Sequence, residues 1–312
     1  MIDKPLVSIL VPIYGVESYI ERCTRSLFGQ TYNNCEFVFV NDCTKDNSIV
    51  ILHDVIKEYP SIHNRIKIIE HEYNKGVGAA RQTCLSACHG DFFLFVDPDD
   101  YIELKYVEKF VDVILQHDAD LVIQNYKSDT SVCEIQGNIY EKKLLMRRTQ
   151  TCVWGKLFKY EIVKMHNVDF LDGIDHAEDF SFMCRFVAFC TNIYGLKDNL
   201  YHYTTDNIVS YTNNYSEKSI KSIINSIMSV RLFLVKLDTS YIFATNLSAL
   251  EFYKDSISRK LARREFLDNM FLKYLSELKL NWLQSITLYC IKHMPILFSK
   301  ILIELQYRYM VC

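Results

Sequence analysis

The stretch Gly90-Asp91-Phe92-Phe93-Leu94-Phe95-Val96-Asp97-Pro98-Asp99-Asp100 runs an unbroken apolar segment straight into three carboxylates. An apolar run of this length without polar alternation reads as a strand buried on both faces. Such strands belong to parallel sheets, and ligands gather beyond their carboxyl ends. Three Asp within four residues repel one another unless the charge is relieved. A hard divalent cation relieves it and can bridge to phosphate oxygens. The plainer alternative is a solvated acidic turn that caps the helix expected from Glu103, since Asp favours turns and caps.

Outward from this stretch, strand and helix signals alternate. Leu6–Val11, Glu36–Val40 and Arg65–Glu70 read as strands before Phe92–Val96, and Asp120–Asn125 as one after it. Between them Glu17–Phe28, Asp46–Tyr59, Val77–Cys88 and Glu103–His117 have helical spacing, with Asp46 or Asn47 as a cap. This alternation predicts an α/β fold, a mostly parallel sheet flanked by helices. Residues 128–205 are irregular and mixed. From about Ser216 the chain is helical, with almost no Gly or Pro. The expected organisation is a catalytic domain over 1–215 and a helical C-terminal region over 216–312, with the edge near Ser210–Ser216.

Composition narrows the class. With 312 residues, 49% hydrophobic, and a net charge of −3, the chain is globular rather than disordered. The near-neutral balance excludes a dedicated nucleic-acid binder. Eleven cysteines, an odd number with no Cys-x-x-Cys pair, read as reduced thiols acting as small hydrophobes. The start Met1-Ile2-Asp3-Lys4-Pro5 has no basic region followed by an apolar core, so a cytoplasmic location is expected.

Each strand end supplies polar groups: Pro12-Ile13-Tyr14 after the first, Asn41-Asp42-Cys43-Thr44-Lys45-Asp46 after the second, His71 and Asn74-Lys75-Gly76 after the third. Asp42 can accept hydrogen bonds from a base or ribose, or form a turn. Tyr14 can stack on a base, or sit at the rim. Arg81 can present a planar fork to phosphate, or make a salt bridge. The Gly-x-Gly-x-x-Gly signature of dinucleotide binders is absent. Pro12-Ile13-Tyr14-Gly15 is no nucleotidyltransferase loop. In a haloacid-dehalogenase-type phosphotransferase the Asp-x-Asp follows the first strand, whereas here it follows the fourth and has Tyr101 two residues on.

The ordered set of motifs resembles the inverting, family-two nucleotide-sugar glycosyltransferases of the GT-A, Rossmann-like fold. It comprises Val7–Tyr14, Ser26–Tyr32, Glu36–Asp42, Asn74–Arg81, Gly90–Asp100, Trp154–Phe158 and Glu178–Phe182, and spans roughly residues 5–212. The resemblance implies that Asp99, with Asp97, ligates Mn²⁺ or Mg²⁺, and that Asp97 also holds the ribose or a metal-bound water. It places Asp42 on the base, usually uracil, with Pro12 and Tyr14 beside it, and Arg81 in support of the nucleotide. Asp179 matches the catalytic base; Trp154, Lys156 and Glu178 fall on the acceptor side. The implied partners are a nucleotide-sugar donor, such as a UDP-sugar, and a glycan or lipid-linked glycan acceptor in cell-surface polysaccharide synthesis. A non-catalytic nucleotide-sugar-binding or assembly subunit is the alternative, against which the intact Asp99 and Asp179 argue.

Departures from the family pattern are specific. Asn41 stands where the first Asp is usual, and Cys43 replaces a Gly, which points to a slightly different turn. Gln82 replaces a common Asn. Tyr201–Asn207 lacks the basic residues often found there, leaving His202 as candidate, although a His between two Tyr also reads as structural. The last segment, 240–312, carries ten Lys/Arg against six Asp/Glu. A basic, aromatic, helical region can pack on the catalytic domain, form an oligomer contact, or lie on an anionic membrane surface.

Overall fold

Val7-Ser8-Ile9-Leu10-Val11-Pro12-Ile13 is buried along its whole length and forms strand β1 (Val7–Ile13). Neighbours on both sides and cover on both faces leave no position for alternating polar residues. The computed structural model describes residues 4–127, 129–205 and 215–311. They group into two compact units, the first made of Met1–Gly137, Cys152–Asp172 and Phe189–Ile208, the second of Asn138–Thr151, Gly173–Ala188 and Val209–Cys312.

After β1 come α1 (Ile20–Phe28), β2 (Cys35–Asn41), α2 (Ser48–Lys57), β3 (Ile66–Glu70), α3 (Val77–Ser86) and β4 (Phe92–Phe95). Next are β5 (Tyr101–Ile102), α4 (Tyr106–Gln116), β6 (Leu121–Ile123), β7 (Val132–Ile135) and α5 (Gly137–Leu145). The chain continues with β8 (Lys156–Lys159), α6 (Tyr160–His166), α7 (Glu178–Val187), β9 (Ile193–Leu196) and β10 (Tyr201–His202). It ends in α8 (Glu217–Leu237), α9 (Tyr241–Ser258), α10 (Arg264–Ser276), α11 (Trp282–His293) and α12 (Ile296–Val311).

The first unit holds an eight-stranded sheet in the order β3-β2-β1-β4-β8-β6-β9-β7. Its β3-β2-β1-β4 half is parallel throughout, with Leu10 opposite Phe95 and Ile13 opposite Asn41. That register brings the carboxyl ends of β1, β2 and β4 to one edge. The other half is mixed: β8 runs antiparallel to both β4 and β6. Helix α1 shows how the sequence selects its face. Ile20, Cys23, Thr24 and Leu27 recur at helical spacing and are buried, while Glu21 and Arg25 pair outside.

The second unit is helical. Ser216 caps α8, its hydroxyl accepting from the Ser219 N–H in a reciprocal capping box. α5 is tied in by Ser248 Oγ, which donates to the Leu145 carbonyl at 2.6 Å. Residues 138–151 and 173–188 group with the C-terminal helices in this second unit. Residues 210–214 of the expected edge lie outside the described residues. The ten described cysteines are free thiols.

Candidate functional site

The turn after β4 gives its three carboxylates three different environments. The Asp100 N–H donates to the Asp97 carbonyl at 3.0 Å, closing the turn. Asp100 is fully buried and accepts from the Tyr201 hydroxyl (2.6 Å) and the Thr204 N–H (2.7 Å). Burial, and then the charge of Asp97, pushes its pKa up to about 7. Asp97 is partly exposed and receives Arg81 Nη2 at 2.9 Å, while its own N–H donates to the Tyr201 hydroxyl at 3.0 Å. Asp99 is also partly exposed, and its carbonyl accepts from Arg22 Nη2 (3.0 Å) and Thr204 Oγ1 (2.7 Å). The turn is therefore anchored inward through Asp100 and presents Asp97 and Asp99 at its rim. It caps no helix, since α4 begins at Tyr106 behind Lys105.

Arg81 corrects its surface salt-bridge alternative. It lies on α3, 4% exposed, and its fork orients Asp97 from inside. Asp42 is 3% exposed, and its carboxylate accepts from the N–H groups of Lys75 (2.8 Å) and Gly76 (2.9 Å) and contacts His71 Nδ1 (2.7 Å). These bonds fix the loop leading into α3, where Gly76 takes φ +91°, a conformation that suits glycine. Asp42 thus shapes the loop from beneath instead of presenting its carboxylate openly to a base. Pro12 is buried at the end of β1, and Tyr14 stands beyond it, 52% exposed. The loops after β1 and β2 are laced together: Gly15, Val16 and Glu17 donate their N–H groups to Thr44, Ser48 and Asp46 at 2.9–3.1 Å. Cys43 takes the left-handed conformation, φ +58°, which glycine adopts more readily than a residue with a side chain.

On the neighbouring edge Trp154 bridges to Phe95 and stacks between Tyr201 (4.9 Å) and Tyr203 (5.4 Å). Tyr203 is half-exposed, so the stack runs from the acidic turn to the surface. Lys156 does not reach an acceptor side. It is fully buried, and its ammonium donates to the carbonyls of Cys152 (2.6 Å) and Trp154 (3.4 Å), bracing the turn that carries Trp154. His202 is structural as well, paired with Glu103 Oε1 at 2.6 Å and stacked on Tyr101. Gln82 accepts from the Phe170 N–H at 2.7 Å.

Among the described residues no cluster of three or more His, Cys, Asp or Glu is arranged to enclose a metal. A Mg²⁺-like ion shared with a diphosphate needs only one or two protein carboxylates, the rest of its shell being phosphate and water. Asp97 and Asp99, two hard oxygen donors on one rim, fit that requirement, and Asp100, turned inward, does not.

Glu178 and Asp179 belong to the second unit. The chain enters α7 through Ala177 at φ +60°, held by Ser226 Oγ on the Ala177 carbonyl at 2.6 Å. Glu178 and Asp179 form the first turn, where the helix dipole favours the ionised carboxylate. Both line a cavity of about 190 Å³ with Asp175, His176, Arg147 and Arg259. Arg147 pairs with Asp255 at 2.6 Å, and Arg259 lies over the Tyr215 ring at 5.5 Å. His176 is stacked on Tyr215, and burial, then Lys218, lowers its pKa to about 4, so it is neutral near pH 7.

Sequence reasoning missed Tyr201, Thr204 and His71 as partners of the acidic groups, and Asp175, His176 and Arg147 as cavity residues. The first pairs span about a hundred residues of chain, and no local pattern marks them. The Asp175-His176-Ala177-Glu178-Asp179 cluster was a legible signal, with three carboxylates and a histidine within five residues.

Comparison with known proteins adds an independent line. The model of the family described as "Glycosyl transferase family 2" matches residues 8–170. The putative glycosyltransferase EpsH of Bacillus subtilis is 31% identical over 284 residues, covering 83% of this chain and 80% of its own. TarS of Staphylococcus aureus, a poly(ribitol-phosphate) β-N-acetylglucosaminyltransferase, is 28% identical over 206 residues, 64% of this chain and 35% of that protein. The solved structure of TarS residues 1–349 with UDP-GlcNAc superposes with a TM-score of 0.68 at 19% identity, covering 98% of this chain and 90% of that one. The mannosyltransferase PcManGT of Pyrobaculum calidifontis, solved with GDP-Man and Mn²⁺, gives a TM-score of 0.57 at 13% identity, covering 96% of this chain and 87% of that one. The two solved structures share the α/β fold described above.

Proposed function

The chain belongs to glycosyl transferase family 2, and from that premise we propose that it transfers a sugar, with inversion, from a nucleoside-diphosphate donor such as a UDP-sugar to an acceptor hydroxyl. The observation that carries the reading is the acidic turn, in which Asp100 is buried as an anchor while Asp97 and Asp99 are held at the rim. Asp99, with Asp97, would hold Mn²⁺ or Mg²⁺. When bound, that ion neutralises charge on the departing diphosphate. Arg81 fixes the Asp97 carboxylate so that it meets the ribose or the metal shell in one orientation. Pro12, Tyr14 and the loop organised by Asp42 receive the base, with Tyr14 as the exposed stacking surface.

Transfer passes through an oxocarbenium-like transition state, and the attacking hydroxyl must lose its proton as the bond forms. Asp179, in the first turn of α7, takes that proton. Glu178 falls on the acceptor side, and Trp154 with Tyr203 offers an aromatic platform for a sugar ring. The catalytic domain proper is residues 1–215, with 216–312 as its helical companion. Named functions of relatives, poly(ribitol-phosphate) glycosylation among them, support a role in cell-surface polysaccharide synthesis. That role fits a cytoplasmic enzyme working at the inner face of the membrane on a glycan or lipid-linked glycan.

A panel of nucleotide sugars tests this by hydrolysis and transfer in the presence of Mn²⁺. At least one donor should be turned over, and Asp179→Asn should lower kcat by roughly 10²–10⁴-fold while the protein stays folded. A folded Asp179→Asn variant of unchanged rate overturns the base assignment. A wild-type chain that binds a donor and never turns it over identifies a non-catalytic subunit.

A further inference from the structure

Helices α11 and α12 bury a mixed face, with Cys290, Ile291 and Ile303 beside polar residues, and expose a largely apolar one. Their inward positions carry Gln284, Thr287, Ser299 and Gln306, all within 1% exposure, with Gln306 Nε2 donating to Thr287 Oγ1 at 2.7 Å. Their outward positions carry Trp282, Ile286 and Tyr289 on α11, and Leu297, Phe298, Ile301, Leu305 and Tyr309 on α12. The spacing puts each set on one side of its helix. Among the described residues, nine of the nineteen large exposed apolar side chains fall within residues 282–309. A concentration of this kind marks a surface that is covered when the protein works.

We propose that the outer faces of α11 and α12 dock in the plane of an anionic lipid bilayer. Charge decides between a bilayer and a second copy of the chain. Residues 279–311 carry Lys279, Lys292, Lys300 and Arg308 against the single acid Glu304. Glu304 is already engaged by Arg148 at 2.8 Å and Arg308 at 3.8 Å. A two-fold contact would bring this basic fringe onto itself, whereas anionic headgroups complement it. Trp282, Tyr289 and Tyr309 are rings suited to the headgroup level, and Lys side chains extend from apolar faces to reach phosphate. Among the described residues no helix is long and apolar enough to cross a membrane, which makes the contact an in-plane one. The surface rests on the glycosyltransferase reading only for its purpose, which is to bring the site to a lipid-linked acceptor.

Flotation of the full-length chain with vesicles tests this, using phosphatidylcholine alone or mixed with phosphatidylglycerol. Binding to the mixed vesicles should exceed binding to phosphatidylcholine by about tenfold and weaken with salt. The triple variant Leu297→Gln/Ile301→Gln/Leu305→Gln should lose about tenfold or more in binding with an unchanged melting profile. Lys292→Gln/Lys300→Gln should lower only the anionic component. Failure of the wild-type chain to float, or undiminished flotation of the triple variant, overturns the proposal. So does a wild-type dimer in sedimentation velocity that the triple variant converts to monomer without any vesicle binding. Donor hydrolysis in lipid-free solution reads the enzymatic assignment separately, and the triple variant should retain it. A chain that floats and hydrolyses no donor keeps the surface and loses the function.

Discussion

Asp97, Asp99 and Asp100 are the same side chain within one turn, and the fold assigns them different work. Tyr201 makes the division, since its hydroxyl donates to Asp100 and accepts from the Asp97 N–H. Tyr201→Phe leaves a buried carboxylate short of a donor and should cost about 1–3 kcal/mol in urea unfolding. An unchanged midpoint would mean that the turn does not depend on this anchor. His176 supplies a pH signature. Its folded pKa of about 4 lies below the ordinary 6.5, so between these values the unfolded chain binds a proton that the folded chain refuses. Stability contributed by neutral His176 is present above pH 6.5 and is lost as pH falls towards 4. His176→Asn should flatten this part of the stability profile, and an identical profile in the variant would refute the assignment.

At the scale of elements, the strands and helices of the parallel half were legible because each carries its own period. β1, β2 and β4 are apolar runs, and α1 repeats at 3.6 residues. Of the other half, β6 was legible as Asp120–Asn125, whereas β7, β8 and β9, four residues each and separated by segments that fold with another unit, were not. Of the candidate site, the acidic turn was readable as chemistry, while the burial of Lys156 and the inward engagement of Asp42 depend on residues distant in sequence. The β2 turn offers a clean check. Cys43 holds φ +58°, which costs a non-glycine residue roughly 1 kcal/mol. Cys43→Gly should recover a similar amount in thermal or urea unfolding, and a destabilised variant would show that the thiol, near the Glu72 carbonyl, matters more.

At the scale of the molecule, the net charge of −3 averages over a chain whose last segment is basic and whose terminal hairpin is apolar outside. Composition suggested an ordinary globular protein, and only exposure shows where it departs from one. The central claim nevertheless concerns the rim of the acidic turn. Calorimetric titration of UDP into the full chain, with Mn²⁺ and then with a chelator, tests it most directly, repeated on Asp99→Ala. Binding should weaken by about tenfold or more both on chelation and in the variant. UDP affinity indifferent to the metal and to Asp99 would contradict the account.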